Sequence, residues 1–142
     1  MKIIRLLSAL LIAVGTATAS ERPEEMRKLI NVLIQVESGG NDSVIGDRHL
    51  VNKAYGCLQI RKPCVVDVNR KLGTNYQAED CLGNRELSEK IFRTYIGIYA
   101  TKSRLGREPT FEDMARIWNG GPRGFTREST LPYWKKVEEF LR

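Results

Sequence analysis

The stretch VESGGND, Val36 to Asp42, decides how the rest of the chain is read. Ahead of it, PEEMRKLINVLIQVE sets Met26, Leu29, Ile30, Leu33 and Ile34 three and four residues apart, the spacing of one helical face. Glu37 falls on the same stripe, and Gly39-Gly40 then stops the helix. A carboxylate at the last turn of an apolar face has two readings. Either it bends off the helix end into water, since buried Glu is rare, or it is a carboxylic acid held in a cleft. In a cleft, apolar neighbours disfavour the anion, and the helix C-terminus, the negative end of the macrodipole, does the same. Such a group stays protonated near neutral pH and can deliver the proton that cleavage of an acetal bond requires. A glycosidase pair needs a second carboxylate. The candidate is Asp47, in the Gly46-Asp47 turn, and its plain alternative is a turn residue.

Working outward, Asn41 to Ile60 is rich in Gly, Asn and Asp with short apolar pieces, and reads as a turn and a small β-hairpin. Pro63 opens a helix through Val65, Val68 and Leu72 that Gly73 stops. Glu79 to Leu82 suits one further helical turn. The longest periodic segment runs from Glu86 to about Ser103, with Leu87, Ile91, Phe92, Tyr95, Ile98 and Tyr99 on one wide arc, as in a central, largely buried helix. Thr110 with Asp113 caps FEDMARIW, whose Met114, Ile117 and Trp118 point inward. NGGPRG interrupts the chain, and Ser129-Thr130 and Pro132 begin a last helix with Trp134, Val137 and Leu141 as its apolar contacts. The expected fold is therefore mainly α (α+β), one domain with a small β-hairpin directly after Glu37.

Residues 1–19 read as a signal peptide: Lys2 and Arg5 first, then a mostly apolar run from Ile3 to Val14, then Ala17-Thr18-Ala19 as the cleavage site. The apolar run is shorter than the ~20 residues that span a bilayer, so a secreted or periplasmic protein is expected, with no membrane attachment after cleavage. The folded domain is then 20–142. Of the net charge of +6, the leader accounts for two basic residues, leaving a modest +4. That excess suits an anionic envelope surface as well as an ordinary solvated globule. No Lys/Arg cluster interleaved with aromatics argues for nucleic acid.

Cys57, Cys64 and Cys81 allow at most one intramolecular bridge in an exported chain. Cys64–Cys81 is the favoured pairing, because the two flank CVVDVNRKL and the loop after it, and Cys57 is left as a buried thiol. No C-x₂₋₄-C pair seeds a zinc site with the single His49, so no metal is expected. His49 itself reads as a surface turn residue, and without a motif around it no Ser-His-Asp arrangement forms.

VESGGN, then GD, then AYGCLQI, then ARIWNGGPRG with YWKKV beyond resembles the lysozyme superfamily, most of all invertebrate-type lysozymes, with goose-type lysozymes and soluble lytic transglycosylases as relatives. The resemblance covers about Ile30 to Val137, and three motifs in one order make it specific. It implies a lysozyme-like helical domain whose hairpin walls the cleft. Glu37 matches the general acid. Tyr55, Gly56, Gln59 and Ile60 match the hairpin wall that meets substrate, and Asn119, Gly120 and Gly121 match the loop facing the saccharide from the other side. Tyr133 and Trp134 match a closing YW pair. Asp47 takes the second-carboxylate position by likeness to the Gly-Asp of goose-type lysozymes, whereas an ungapped match to invertebrate-type ones puts His49 there. Three cysteines are also few for an invertebrate-type lysozyme.

The activity implied is that of a muramidase hydrolysing the β-1,4 bond between N-acetylmuramic acid and N-acetylglucosamine, with peptidoglycan glycan strands as partner, no cofactor and a monomeric enzyme. The alternative is a lytic transglycosylase, which cuts the same bond with one glutamate and leaves a 1,6-anhydro end. A non-catalytic glycan-binding protein does not require a buried acid, and an isopeptidase requires a nucleophile–base pair that the sequence does not display.

Overall fold

The structure, a computed structural model, describes residues 21–142. The signal-peptide expectation for residues 1–19 lies outside the described residues. The chain runs α1 (Glu21–Ser38), β1 (Ile45–Gly46), β2 (Ala54–Tyr55), α2 (Lys62–Leu72), α3 (Arg85–Tyr99), α4 (Lys102–Leu105), α5 (Phe111–Gly120) and α6 (Leu131–Leu141), with short 3₁₀ turns at Ala78–Cys81, Gly124–Thr126 and Glu128–Thr130. The expected mainly helical fold with one small antiparallel hairpin is found. β1 and β2 pair Ile45 with Tyr55 and Gly46 with Ala54.

The amphipathic stripe of α1 explains its position. Leu29, Ile30, Leu33 and Ile34 are all buried and pack with Phe92 of α3, Ile117 of α5 and Val137 of α6. α1 and α5 both lie against α6, while α3 joins α5 to α2. The end of α1 is a left-handed glycine stop: Gly39 N–H donates to Gln35 O (3.0 Å) and Gly40 N–H to Ile34 O (3.3 Å). Both glycines have positive φ, 61° and 85°, which a side chain would strain. Ser38 back-bonds to Ile34 O at 3.0 Å, as a local helix-end group. Arg85 then clamps the departing chain onto α3, donating to Asp42 (3.0 Å) and to Gly40 O (2.8 Å). The helix that carries Glu37 therefore ends at a fixed place and feeds directly into the hairpin.

Two local features differ from expectation. α3 ends at Tyr99 instead of near Ser103, and a separate turn, α4, follows. The side chain of Arg104 reaches back to the Tyr99 carbonyl (3.2 Å), satisfying an acceptor that continued helix would have used. Ile96 takes the buried place on α3, and Ile98 is half-exposed. Second, no disulfide links the cysteines, so the expected Cys64–Cys81 bridge is not formed in this structure. Cys57 and Cys81 are fully buried, and burial pushes both thiols up to about 11. Cys64 is raised further by burial, with Cys81 close enough to add to the shift.

The Thr110 cap is present as a full capping box: Asp113 N–H donates to the Thr110 hydroxyl (3.2 Å), and Thr110 N–H returns a bond to the Asp113 carboxylate (2.8 Å). Arg107 adds a bidentate pair to the same carboxylate at 2.6 and 2.9 Å. That fixes the start of α5, whose far end faces Glu37.

Candidate active site

Glu37 is the penultimate residue of α1 and is half-buried. Its carboxyl borders a cavity of about 250 Å³ that Gln59, Arg61, Tyr95, Trp118 and Asn119 also line. Tyr133, in the first turn of α6, donates its hydroxyl hydrogen to Glu37 Oε1 over 2.6 Å. With Oε1 accepting that bond, Oε2 is the oxygen left to carry an acid proton. Burial raises the Glu37 carboxyl above its ordinary value; the Tyr133 bond and the Arg61 charge oppose this, and the Asp47 charge adds to it. The Tyr133 phenol is itself pushed well above its usual range by burial and by Glu37, so it stays a donor.

The wall opposite is aromatic. Trp118 meets Phe92 and Tyr95 edge-on, with ring centroids 5.0 and 5.8 Å apart. The loop after α5 is tied down by Arg127, which donates to Gly120 O (2.9 Å), and by Arg104, which donates to Pro122 O (3.2 Å). Asn119, in the last turn of α5, and Gly121, just after it, face the cavity, while Gly120 packs against Thr130.

On the hairpin side, Gln59 Nε2 donates to Gly56 O (2.9 Å) and holds the turn closed, while its side-chain oxygen lies over Gly46, where any Cβ would collide with it. Among the described residues, Asp47 and Gln59 are the non-glycine positions with positive φ, 47° and 52°. Strain of this kind, of order 1–3 kcal/mol each, persists where surroundings over-determine it. Here the surroundings include Arg61, which pairs with Asp47 and also donates to Asn52 O at 2.6 Å.

The expected site residues divide accordingly. Glu37, Gln59 and Asn119 share one cavity. Asp47 is exposed and does not line it; its carboxylate is held by Arg61, which does. Gly56 and Ile60 are buried behind the wall, Gly56 against the Cys81 carbonyl and Ile60 paired with Tyr55. Tyr55 borders a different cavity. Cys64, expected in a disulfide, lines the Glu37 cavity instead, and His49 sits in an exposed turn. The sequence reading does not single out Arg61, and it places Tyr95 and Trp118 in the core without assigning them to the site. Arg61 directly follows the Gln59-Ile60 motif, which was the available signal. The two aromatics sit at core spacing and serve both the core and the cavity.

A protonatable carboxyl facing aromatic and amide side chains across an open cavity is suited to a saccharide: rings take the apolar faces of sugars, amides their hydroxyls, and the acid a bridging oxygen. Among the described residues, no group of three or more His, Cys, Asp or Glu side chains is arranged to hold a metal ion.

No family model matches the chain. It is 36% identical over 83 residues to a lysozyme of Ostrea edulis, covering 58% of this chain and 57% of that one. It is also 36% identical over 88 residues to a lysozyme of Magallana gigas, covering 61% of each. Lysozyme 1 of Crassostrea virginica matches over 113 residues at 31%, covering 79% of this chain and 58% of its own. The chain thus spans about three fifths of the length of these relatives. The crystal structure of Tapes japonica lysozyme superposes with a TM-score of 0.66 at 26% identity, covering 80% of this chain and 88% of that one. An inhibitor-bound lysozyme from Meretrix lusoria shares the fold, with a TM-score of 0.67 at 23% identity over the same fractions. By sequence and by fold, this is a lysozyme-like chain that resembles the lysozymes of bivalves.

Proposed function

We propose that the chain is a muramidase that hydrolyses the β-1,4 bond between N-acetylmuramic acid and N-acetylglucosamine in peptidoglycan. The observation that carries this reading is Glu37, a carboxyl raised by burial, braced by Tyr133 at 2.6 Å and set at the edge of a cavity with Gln59, Trp118 and Asn119. Likeness to proteins named lysozymes supports it.

In this mechanism Glu37 Oε2 gives its proton to the glycosidic oxygen as the C1–O bond breaks, and the departing sugar leaves with a free hydroxyl. Positive charge develops on the remaining ring. Water adds to C1 and returns a proton to the Glu37 carboxylate, so the acid is regenerated and the new end is reducing. Asp47 offsets the developing charge at the rim or orients the water, held in place by Arg61. Gln59 and Asn119 are the substrate-binding amides on the two sides.

A second reading, lytic transglycosylation, gains from one observation: the Asp47 carboxylate is paired with Arg61 and stands outside the cavity lining. If Asp47 takes no part, Glu37 serves alone and the muramic acid's own hydroxyl attacks C1. Mass spectrometry of released muropeptides separates the two. Reducing ends support hydrolysis; 1,6-anhydro ends support the transglycosylase.

The same reading makes the protein an exported one, cleaved after Ala19 and acting outside the cytoplasm as a monomer. Among the described residues no helix is long and apolar enough to cross a membrane. N-terminal sequencing of exported protein should find Ser20 first, and a start at Met1 would overturn this. In an oxidising compartment Cys64 and Cys81 are the pair expected to join; the Cys81 thiol is near enough to add to the rise that burial imposes on Cys64.

A further inference from the structure

A second cavity, of about 300 Å³, lies where β2, α2 and the Ala78–Cys81 turn meet. Tyr55 and Tyr76 stand in its wall with Val66, and Lys53, Lys62 and Glu79 supply its charges. Among the described residues neither lysine is salt-bridged. At its rim Val66 is 44% exposed and Val51 fully so, apolar side chains left facing water.

This cavity adjoins the one at Glu37. Arg61 lines the Glu37 cavity and donates at 2.6 Å to the carbonyl of Asn52, which lines the second. Neighbours in the chain divide between them: Arg61 faces one and Lys62 the other, then Cys64 one and Val65 the other. The segment from Arg61 to Val66 thus contributes to both.

The donor set selects a chemistry. Two unpaired ammonium groups call for carboxylates, and a neutral sugar would leave both unmatched. The small apolar rim suits methyl-sized side chains, and Glu79 suits an amine. A short acidic peptide with an alanine and a diamino acid has all three. Peptidoglycan carries such a peptide on each muramic acid, and an extended chain advances about 3.3–3.6 Å per residue. No serine, cysteine or histidine lines the cavity, so nothing there is arranged to cut the peptide.

We infer that this second cavity is a binding site for the acidic stem peptide of peptidoglycan, occupied while the attached glycan lies against Glu37. The inference rests on the muramidase reading for the position of the glycan. It makes the protein a reader of peptide-bearing strands, with Lys53 and Lys62 as specificity-determining residues remote from the bond that breaks.

The test compares wild type with Lys53→Glu/Lys62→Glu on two substrates: intact peptidoglycan, and the same glycan stripped of its peptides by an amidase. Loss of about tenfold in kcat/KM on the intact polymer, with the stripped glycan cleaved as before, is expected from reversing two surface contacts. An equal loss on both substrates would mean that the cavity takes sugar, and no loss on either that it takes nothing; both overturn the inference. In parallel, the free tripeptide L-Ala-γ-D-Glu-L-Lys is titrated while amide NMR signals are followed. Shifts at Val66 and Tyr76 that the double variant lacks are expected, and their absence in the wild type overturns the site. The titration needs no turnover, so a protein that cleaves neither substrate would fail as a muramidase while the peptide site is still decided.

Discussion

Tyr133 and Glu37 lie 96 positions apart in the chain and are joined by a hydrogen bond of 2.6 Å. It ties the last helix to the first at the atom that carries the chemistry. Because the bond favours the carboxylate, it opposes the rise that burial imposes on Glu37. Tyr133→Phe removes that opposition. The Glu37 carboxyl should then titrate higher, so the basic limb of the pH–rate profile moves to higher pH while the fold is kept. An unmoved limb in a folded variant would reduce Tyr133 to packing.

Asp47 and Arg61 act on Glu37 with opposite signs, Asp47 raising and Arg61 lowering its carboxyl. Asp47→Asn should therefore move the basic limb down, and Arg61→Gln should move it up. In the hydrolase, Asp47→Asn also loses about 10²-fold in kcat, the scale of removing one charge-stabilising group, with thermal stability unchanged. Activity near wild type, with anhydro ends on the products, would hand the chemistry to Glu37 alone.

Asp113 concerns the scaffold and not the chemistry. Burial opposes its ionisation, but the Arg107 pair and the Thr110 bonds prevail and hold its carboxyl below the ordinary value. A depressed carboxyl contributes stability above its unfolded pKa and loses it as pH falls through the folded one. Asp113→Asn keeps the residue 113 N–H on the Thr110 hydroxyl but removes the charged partner of Arg107, and should thus cost about 2 kcal/mol at neutral pH. The difference from wild type should shrink in acid. Urea unfolding at pH 7 and at pH 3 checks both values.

Oxidation provides an independent check on the exported state. Non-reducing peptide mapping of secreted protein should recover Cys64 joined to Cys81, with a gain of roughly 3 kcal/mol over the reduced form in the chain-entropy model. Cys57 in the bridge would reject that pairing, and three free thiols would reject the bridge.

The strongly periodic parts of the chain are legible in its sequence. The α1 stripe, the Gly39-Gly40 stop, the Thr110–Asp113 box and the hairpin all stand where the pattern of residues put them. The pattern overextends α3 because Thr101, Lys102 and Ser103 carry no breaker, and residue type does not signal that the Arg104 side chain folds back onto the Tyr99 carbonyl. The gathering of Glu37, Gln59 and Asn119 followed from family motifs, since nothing local in three separate segments requires them to meet. Arg61 escaped notice for a physical reason: a lone arginine at a helix start looks like solvated surface until its partners Asp47 and Asn52 are placed. The left-handed backbone at Asp47 and Gln59 has no signal in residue type at all.

Glu37→Gln is the decisive variant, because it keeps the shape and the Tyr133 acceptor and removes the acid proton. Purified wild type and variant are given the same peptidoglycan, their folds compared by circular dichroism and their products by mass spectrometry. Wild type should release muropeptides with reducing N-acetylmuramic acid ends, and the folded variant should release them at least about 10²-fold more slowly, the usual contribution of a positioned general acid. A folded Glu37→Gln protein that cleaves at close to the wild-type rate would contradict the assignment of Glu37 as the acid.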